Sequence, residues 1–111
     1  MSNYVSNIVI NGNADFNQTF TLTSVDTNSE INLSGYSVSS QMRKHSGSST
    51  ATNFTSSILN AAAGQVSISL SNTETSNLKE GRYVYDIVIE KDSVKTKVVE
   101  GMVLVIKGVT R

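Results

Sequence analysis

GRYVYDIVIEKDSVKTKVVEGMVLVI, residues 81–106, is the stretch whose reading decides the fold. After a turn glycine, Tyr83, Tyr85, Ile87 and Ile89 alternate with Arg82, Asp86 and Glu90. Polar Lys91-Asp92-Ser93 interrupts the run, and a second β-rich run follows from Thr96 to Ile106. Apolar spacing of period 2, carried by β-branched and aromatic residues and broken by a short polar segment, predicts a β-hairpin. A hairpin this apolar requires a second sheet to cover it, so a sandwich is expected.

The same period recurs upstream. Val5 to Ile10 predicts a short first strand, closed by turn-prone Asn11-Gly12-Asn13. Phe16, Gln18, Phe20 and Leu22 alternate with Asn17, Thr19, Thr21 and Thr23. Asp26 to Ser29 reads as a loop, with Ile31 and Leu33 a brief apolar return before Gly35. Tyr36, Val38, Ser40 and Met42 mark a strand with Ser37, Ser39 and Gln41 facing water. Phe54, Ser56 and Ile58 mark another, and Val66, Ile68 and Leu70 a further one after the turn at Asn60 to Gly64. About seven short strands joined by polar turns predict an all-β fold, a single immunoglobulin-like antiparallel sandwich over residues 1–111.

The exception is Asn72 to Glu80, where a single helical turn capped by Thr73 is expected. In an immunoglobulin-like sandwich this is the corner between the fifth and sixth strands, where a tyrosine hydroxyl bonds back to the backbone. Leu78, Gly81 and Tyr83 have the spacing of that structural corner. Tyr83→Phe is then expected to cost roughly 1–2 kcal/mol, and Tyr85→Phe less.

Nine basic residues balance nine acidic ones, and twelve of these eighteen charges follow Leu78. Nucleic acid is not an expected partner, since phosphate neutralisation needs a basic stripe. A membrane is not expected either, by charge or by any apolar span. The start Met1-Ser2-Asn3-Tyr4 lacks the basic region of a secretory signal. With no cysteine there is no disulfide, no thiolate nucleophile and no zinc–thiolate site, and no cofactor is expected.

Catalysis by a nucleophile needs a base beside it. The sole histidine, His45, lies in the basic cluster Arg43, Lys44, His45, which reads as a solvated strand end or a contact for an acidic partner surface. Asp15, Asp26 and Glu30 flank loops, and Asp86 and Glu90 project from one strand; none forms an EF-hand loop. The absence of Trp weakens both glycoside hydrolysis and sugar stacking, and Tyr4 is the one aromatic without an obvious core position. No enzymatic activity is expected.

Two-sided hydrophobicity is the more informative feature. Val84 and Val88 point away from the core set of their strand. On the last strand Val98, Met102, Leu104 and Ile106 fall on one face, and Val99, Val103 and Val105 on the other. A monomeric sandwich is polar outside, so Val84, Val88, Val99, Val103 and Val105 are the expected interface for self-association or a partner. The competing reading is a bulge at Gly101 that re-aims the strand.

The C-terminal block resembles small β-sandwich virion proteins of tailed bacteriophages, including the immunoglobulin-like N-terminal domain of baseplate upper proteins. The residues that carry the likeness are Ala63-Gly64-Gln65-Val66, Thr73 to Leu78, Gly81-Arg82-Tyr83-Val84-Tyr85-Asp86, Glu100-Gly101-Met102-Val103 and Val109-Thr110-Arg111. Gln41-Met42-Arg43-Lys44, a Ser-rich loop and Ala51 to Phe54 extend it through the middle. The resemblance implies a structural virion component that binds other virion proteins and copies of itself. Baseplate upper proteins carry a long extension beyond this domain, whereas this sequence stops at Arg111, so head decoration, neck and tail positions are open beside the baseplate. The alternative from another class is a module recognising a glycan or host surface.

Overall fold

A computed structural model describes residues 4–22, 32–45, 47 and 51–107. The expected loop at 26–29, Ile31 and the closing 109–111 lie outside them. Among the described residues, nine strands and one short helix run in the order β1 (Tyr4–Val5), β2 (Ile8–Gly12), β3 (Phe16–Thr21), β4 (Ser37–Arg43), β5 (Ala51–Asn53), β6 (Thr55–Asn60), β7 (Gln65–Leu70), α1 (Asn72–Ser76), β8 (Gly81–Lys91) and β9 (Val94–Lys107). The larger sheet has the order β1-β9-β8-β4-β5, with β2 also on β9, and the smaller one β3-β7-β6. In immunoglobulin lettering these are G-F-C and B-E-D arrangements, so the all-β sandwich expected from the period is the fold observed.

Two features depart from the expected antiparallel seven. The first strand breaks at Ser6-Asn7, and both pieces pair parallel with β9, Tyr4 opposite Val99 and Ile8 opposite Val103. The strand expected around Phe54 also divides. Its first part, β5, pairs with β4, and its second, β6, pairs with β7 in the other sheet. Phe54 is the crossing point. Its N–H donates to the Ser40 carbonyl at 3.0 Å, and its ring packs 6.0 Å from Phe16 and 6.3 Å from Tyr85.

The core lies between the sheets. Val66, Ile68 and Leu70 of β7 share one cluster with Tyr85, Ile87 and Ile89 of β8 and with Met42, Ile10 and Leu33, all buried. Each aliphatic chain so enclosed contributes roughly 1.5–3 kcal/mol against leaving it in water.

The helix starts differently from expectation. Ser71, not Thr73, is the cap: its hydroxyl accepts the Glu74 N–H at 3.3 Å, and the Glu74 carboxylate accepts the Ser71 N–H at 2.9 Å. That reciprocal pair satisfies two otherwise unpaired amides, which a cap at Thr73 would forgo. Buried Thr75 donates its hydroxyl to the Ala14 carbonyl at 2.8 Å and anchors the helix to the β2–β3 connection. The β8–β9 hairpin closes through Asp92 and Ser93, with φ of +53° and +66°, and Lys91 pairs with Val94. Two successive left-handed residues form the turn whose twist suits a tight hairpin.

Candidate interaction face

The corner forms as the spacing predicts. Leu78 is buried, Gly81 has φ of +139°, and the Tyr83 hydroxyl donates to the Lys79 carbonyl at 2.8 Å. Lys44 lies 4.8 Å over the Tyr83 ring, so one member of the basic cluster braces the corner. Exposed His45 joins neither the corner nor the outer sheet face, and Arg43 continues that face beside Val84.

The second tyrosine plays the larger part. Tyr85 is buried opposite Gly101, and its hydroxyl donates to the Ser6 carbonyl at 2.6 Å. Ser6 sits in the break between β1 and β2, over the surface left bare by Gly101; a Cβ there would lie 2.1 Å from the Ser6 oxygen. The Ser6 N–H donates to the Glu100 carbonyl at 2.9 Å, and the Asn7 side-chain oxygen accepts the Met102 N–H at 3.0 Å. The expected ranking of the tyrosines is therefore reversed. Tyr85→Phe should cost about 1–3 kcal/mol, because a part-buried carbonyl loses its donor, whereas Tyr83→Phe loses an exposed bond and should cost about 1 kcal/mol or less. Urea unfolding of both variants checks the order.

Burial pushes the Tyr85 phenol above the ordinary tyrosine value, outweighing the opposing effect of the Ser6 side chain. The folded state thus holds this proton more tightly than the unfolded chain. Its contribution is complete below the unfolded value, near pH 10, and is lost as pH rises through the raised folded value. Stability measured from neutral to strongly alkaline pH should decline above about pH 10, less steeply in Tyr85→Phe. Equal declines in the two proteins would place the alkaline sensitivity elsewhere.

The β9 faces correct the sequence reading. Val99, Val103 and Val105 are fully buried, so these three belong to the core and not to an interface. Their register explains it: Val103 and Val105 pair with the inward Tyr83 and Gly81, and Val99 with Ile87. The bulge is at Val98, not Gly101. Ile87 pairs with Val99 and Val88 with Lys97, which leaves Val98 unpaired, and Val98 and Val99 both turn inward. Met102, Leu104 and Ile106 face out instead.

The outer face of the larger sheet therefore carries a contiguous apolar strip. Val9 (51% exposed) pairs with Leu104 (40%), and Met102 (47%) with half-buried Val84. The sequence signal for Met102 and Leu104 was present, but attached to the opposite face. Val88 is half-buried on the same outer side, opposite Lys97.

Charge rims this strip. Asp86 and Glu100 are direct neighbours across β8 and β9, an unfavourable like-charged pair. The Val98 bulge brings Lys97 onto the outer side with them, where it forms an ion pair with Glu100. That bond, then the Glu100 charge and the more distant Asp86, hold the Lys97 ammonium above the ordinary lysine value. An open depression runs across this ground, with Val84, Met102, Val5, Arg43, Asp86 and Glu100 among its lining. Among the described residues no group of three or more His, Cys, Asp or Glu is placed to hold a metal.

No protein-family profile matches the chain. No curated protein matches it either. Solved structures do resemble it. One is InlP of Listeria monocytogenes, at 12% identity and a TM-score of 0.49, over 91% of this chain and 26% of that one. Another is a family 123 glycoside hydrolase from Clostridium perfringens that acts on glycolipid glycans, at 12% identity and a TM-score of 0.44, over 97% of this chain and 24% of that one. The chain spans about a quarter of the length of each. Likenesses this remote assign neither chemistry nor partner to it.

Proposed function

We propose that this protein is a non-enzymatic structural component of a tailed bacteriophage particle, acting by assembly with other virion proteins through the outer face of its larger sheet. The observation that carries the assembly reading is the strip of exposed Val9, Leu104 and Met102 with half-buried Val84, on adjacent strands where a solitary sandwich would be polar. Burying it removes apolar surface from water at about 25 cal/mol per Å², and the Arg43, Asp86, Lys97 and Glu100 rim selects the partner by charge. The virion setting is supported by the sequence resemblance across residues 35–111. Among the described side chains a glycan-binding role finds no platform, since each aromatic ring there packs against the core; the Tyr4 side chain lies outside them. Mass spectrometry of purified particles of the encoding phage tests the proposal: the chain should be present at a fixed stoichiometry to the major structural proteins. A chain made during infection but missing from washed particles would overturn it.

A further inference from the structure

Sheet edges are the other places where a sandwich meets partners, because an unpaired strand presents a row of free amides and carbonyls. Among the described residues the two sheets have four edges, and three of them are blunted. The β1–β2 edge is interrupted at Ser6-Asn7, where the Asn7 side chain replaces a ladder contact. β5 is only three residues long. β6 has a register shift between Ile58 and Asn60 that leaves Leu59 unpaired, and bulges of this kind protect edges. β3 has none of these devices. Its six residues, FNQTFT, pair with β7 without a break, carry no charge and include no proline. Among the described residues no strand lies on its other side.

The side chains of β3 are also incompletely covered. Phe16, Gln18 and Phe20 turn toward the core yet remain half-buried, while Asn17, Thr19 and Thr21 are exposed. A further strand alongside β3 would complete the burial of both phenylalanines. We infer that the strand is β3 of a second copy of this chain, paired antiparallel about a two-fold axis at Gln18, so that the two smaller sheets become one continuous sheet.

Symmetry and the pleat require the axis to pass through a residue, since paired residues must share a face, and Gln18 is the choice that pairs the two aromatic residues of the strand. Phe16 then lies opposite the partner copy's Phe20, Gln18 opposite its own counterpart, and Asn17 opposite Thr19. Aromatic residues then meet on the inner face, and amides and hydroxyls on the outer. A two-fold interface brings each residue near its own copy or a symmetry-related one, so an uncharged strand is the kind that pairs with itself without like-charge repulsion. This contact is separate from the apolar strip on the larger sheet, and Met102→Glu should leave it intact.

Sedimentation velocity of the full chain tests the inference, with a reversible dimer expected for the wild type. Asn17→Lys with Thr19→Lys sets like charges opposite each other twice across the axis and should weaken the dimer by roughly tenfold. Asn17→Lys with Thr19→Glu sets opposite charges in the same positions and should keep it. Both pairs of changes are on exposed side chains, and circular dichroism confirms that each variant folds. The chain has no native cysteine, so Gln18→Cys should cross-link to its counterpart on oxidation, directly paired Cα atoms lying about 4.5–5.5 Å apart. Thr21→Cys, which faces Asp15 of the other copy in this register, should not. A wild type that stays monomeric across its soluble range overturns the inference. So does equal dissociation of the two charge variants, or a Thr21→Cys cross-link in place of the Gln18→Cys one.

Discussion

Gly101→Ala should destabilise the protein by about 3 kcal/mol or more, the upper part of the range for forcing atoms into a packed interior. The added Cβ would meet the Ser6 oxygen at 2.1 Å and its carbonyl carbon at 2.8 Å, both backbone atoms with no rotamer to yield. Relief requires the N-terminal segment to lift from β9. That movement sacrifices the Tyr85 hydroxyl bond to Ser6, the Ser6 amide bond to Glu100 and the Met102 amide bond to Asn7 together. Gly12→Ala is the matched control, because its Cβ meets the flexible end of Lys107 at 3.0 Å. Denaturant unfolding should separate the two variants widely, and hydrogen exchange should show the Ser6 and Met102 amides losing protection in Gly101→Ala alone. A near-neutral Gly101→Ala would mean that β1 and β2 are not held against β9 in this way.

Met102→Glu should abolish incorporation into the particle while the isolated chain stays folded. Its position is central, paired with Val84 and flanked along β9 by Glu100 and Leu104, so a carboxylate there finds no cation directly across the sheet. The more obvious substitutions are weaker tests. Val84 pairs directly with Arg43, and Val88 with Lys97. Glutamate at either position gains an ion pair within its own sheet, which offsets its effect on docking. A charge at the centre of a desolvated contact meets no such compensation and costs several kcal/mol of association. Met102→Leu preserves apolar area and should incorporate normally. Particle binding measured beside thermal unfolding reads both quantities, and normal incorporation of a folded Met102→Glu would move the assembly contact away from this strip.

Several features of the fold were legible because they depend on residues close together in the chain. The alternation of β8 places Tyr85, Ile87 and Ile89 inward by the pleat alone, and polar Arg82, Asp86 and Glu90 mark its outer side. Leu78, Gly81 and Tyr83 form their corner within one short connection, and the Asp92-Ser93 turn closes a hairpin between adjacent strands. β9 behaved differently for a physical reason. Both of its alternating sets are apolar, so a period of 2 reveals two faces without showing which is inside. That choice was made by pairing with β8 and by the bulge at Val98, which reverses the phase of everything after it. Gly101 likewise gives no local sign of its partner, because the backbone that fills its empty side belongs to Ser6 at the far end of the chain. The parallel seating of β1 and β2 and the passage of Phe54 from one sheet to the other are also products of contacts between distant segments. The amino-acid pattern by itself determined that the chain forms a sandwich and where most of its strands run. Only tertiary packing decided which side of the last strand meets the core, because two apolar faces are equivalent until a neighbour covers one of them.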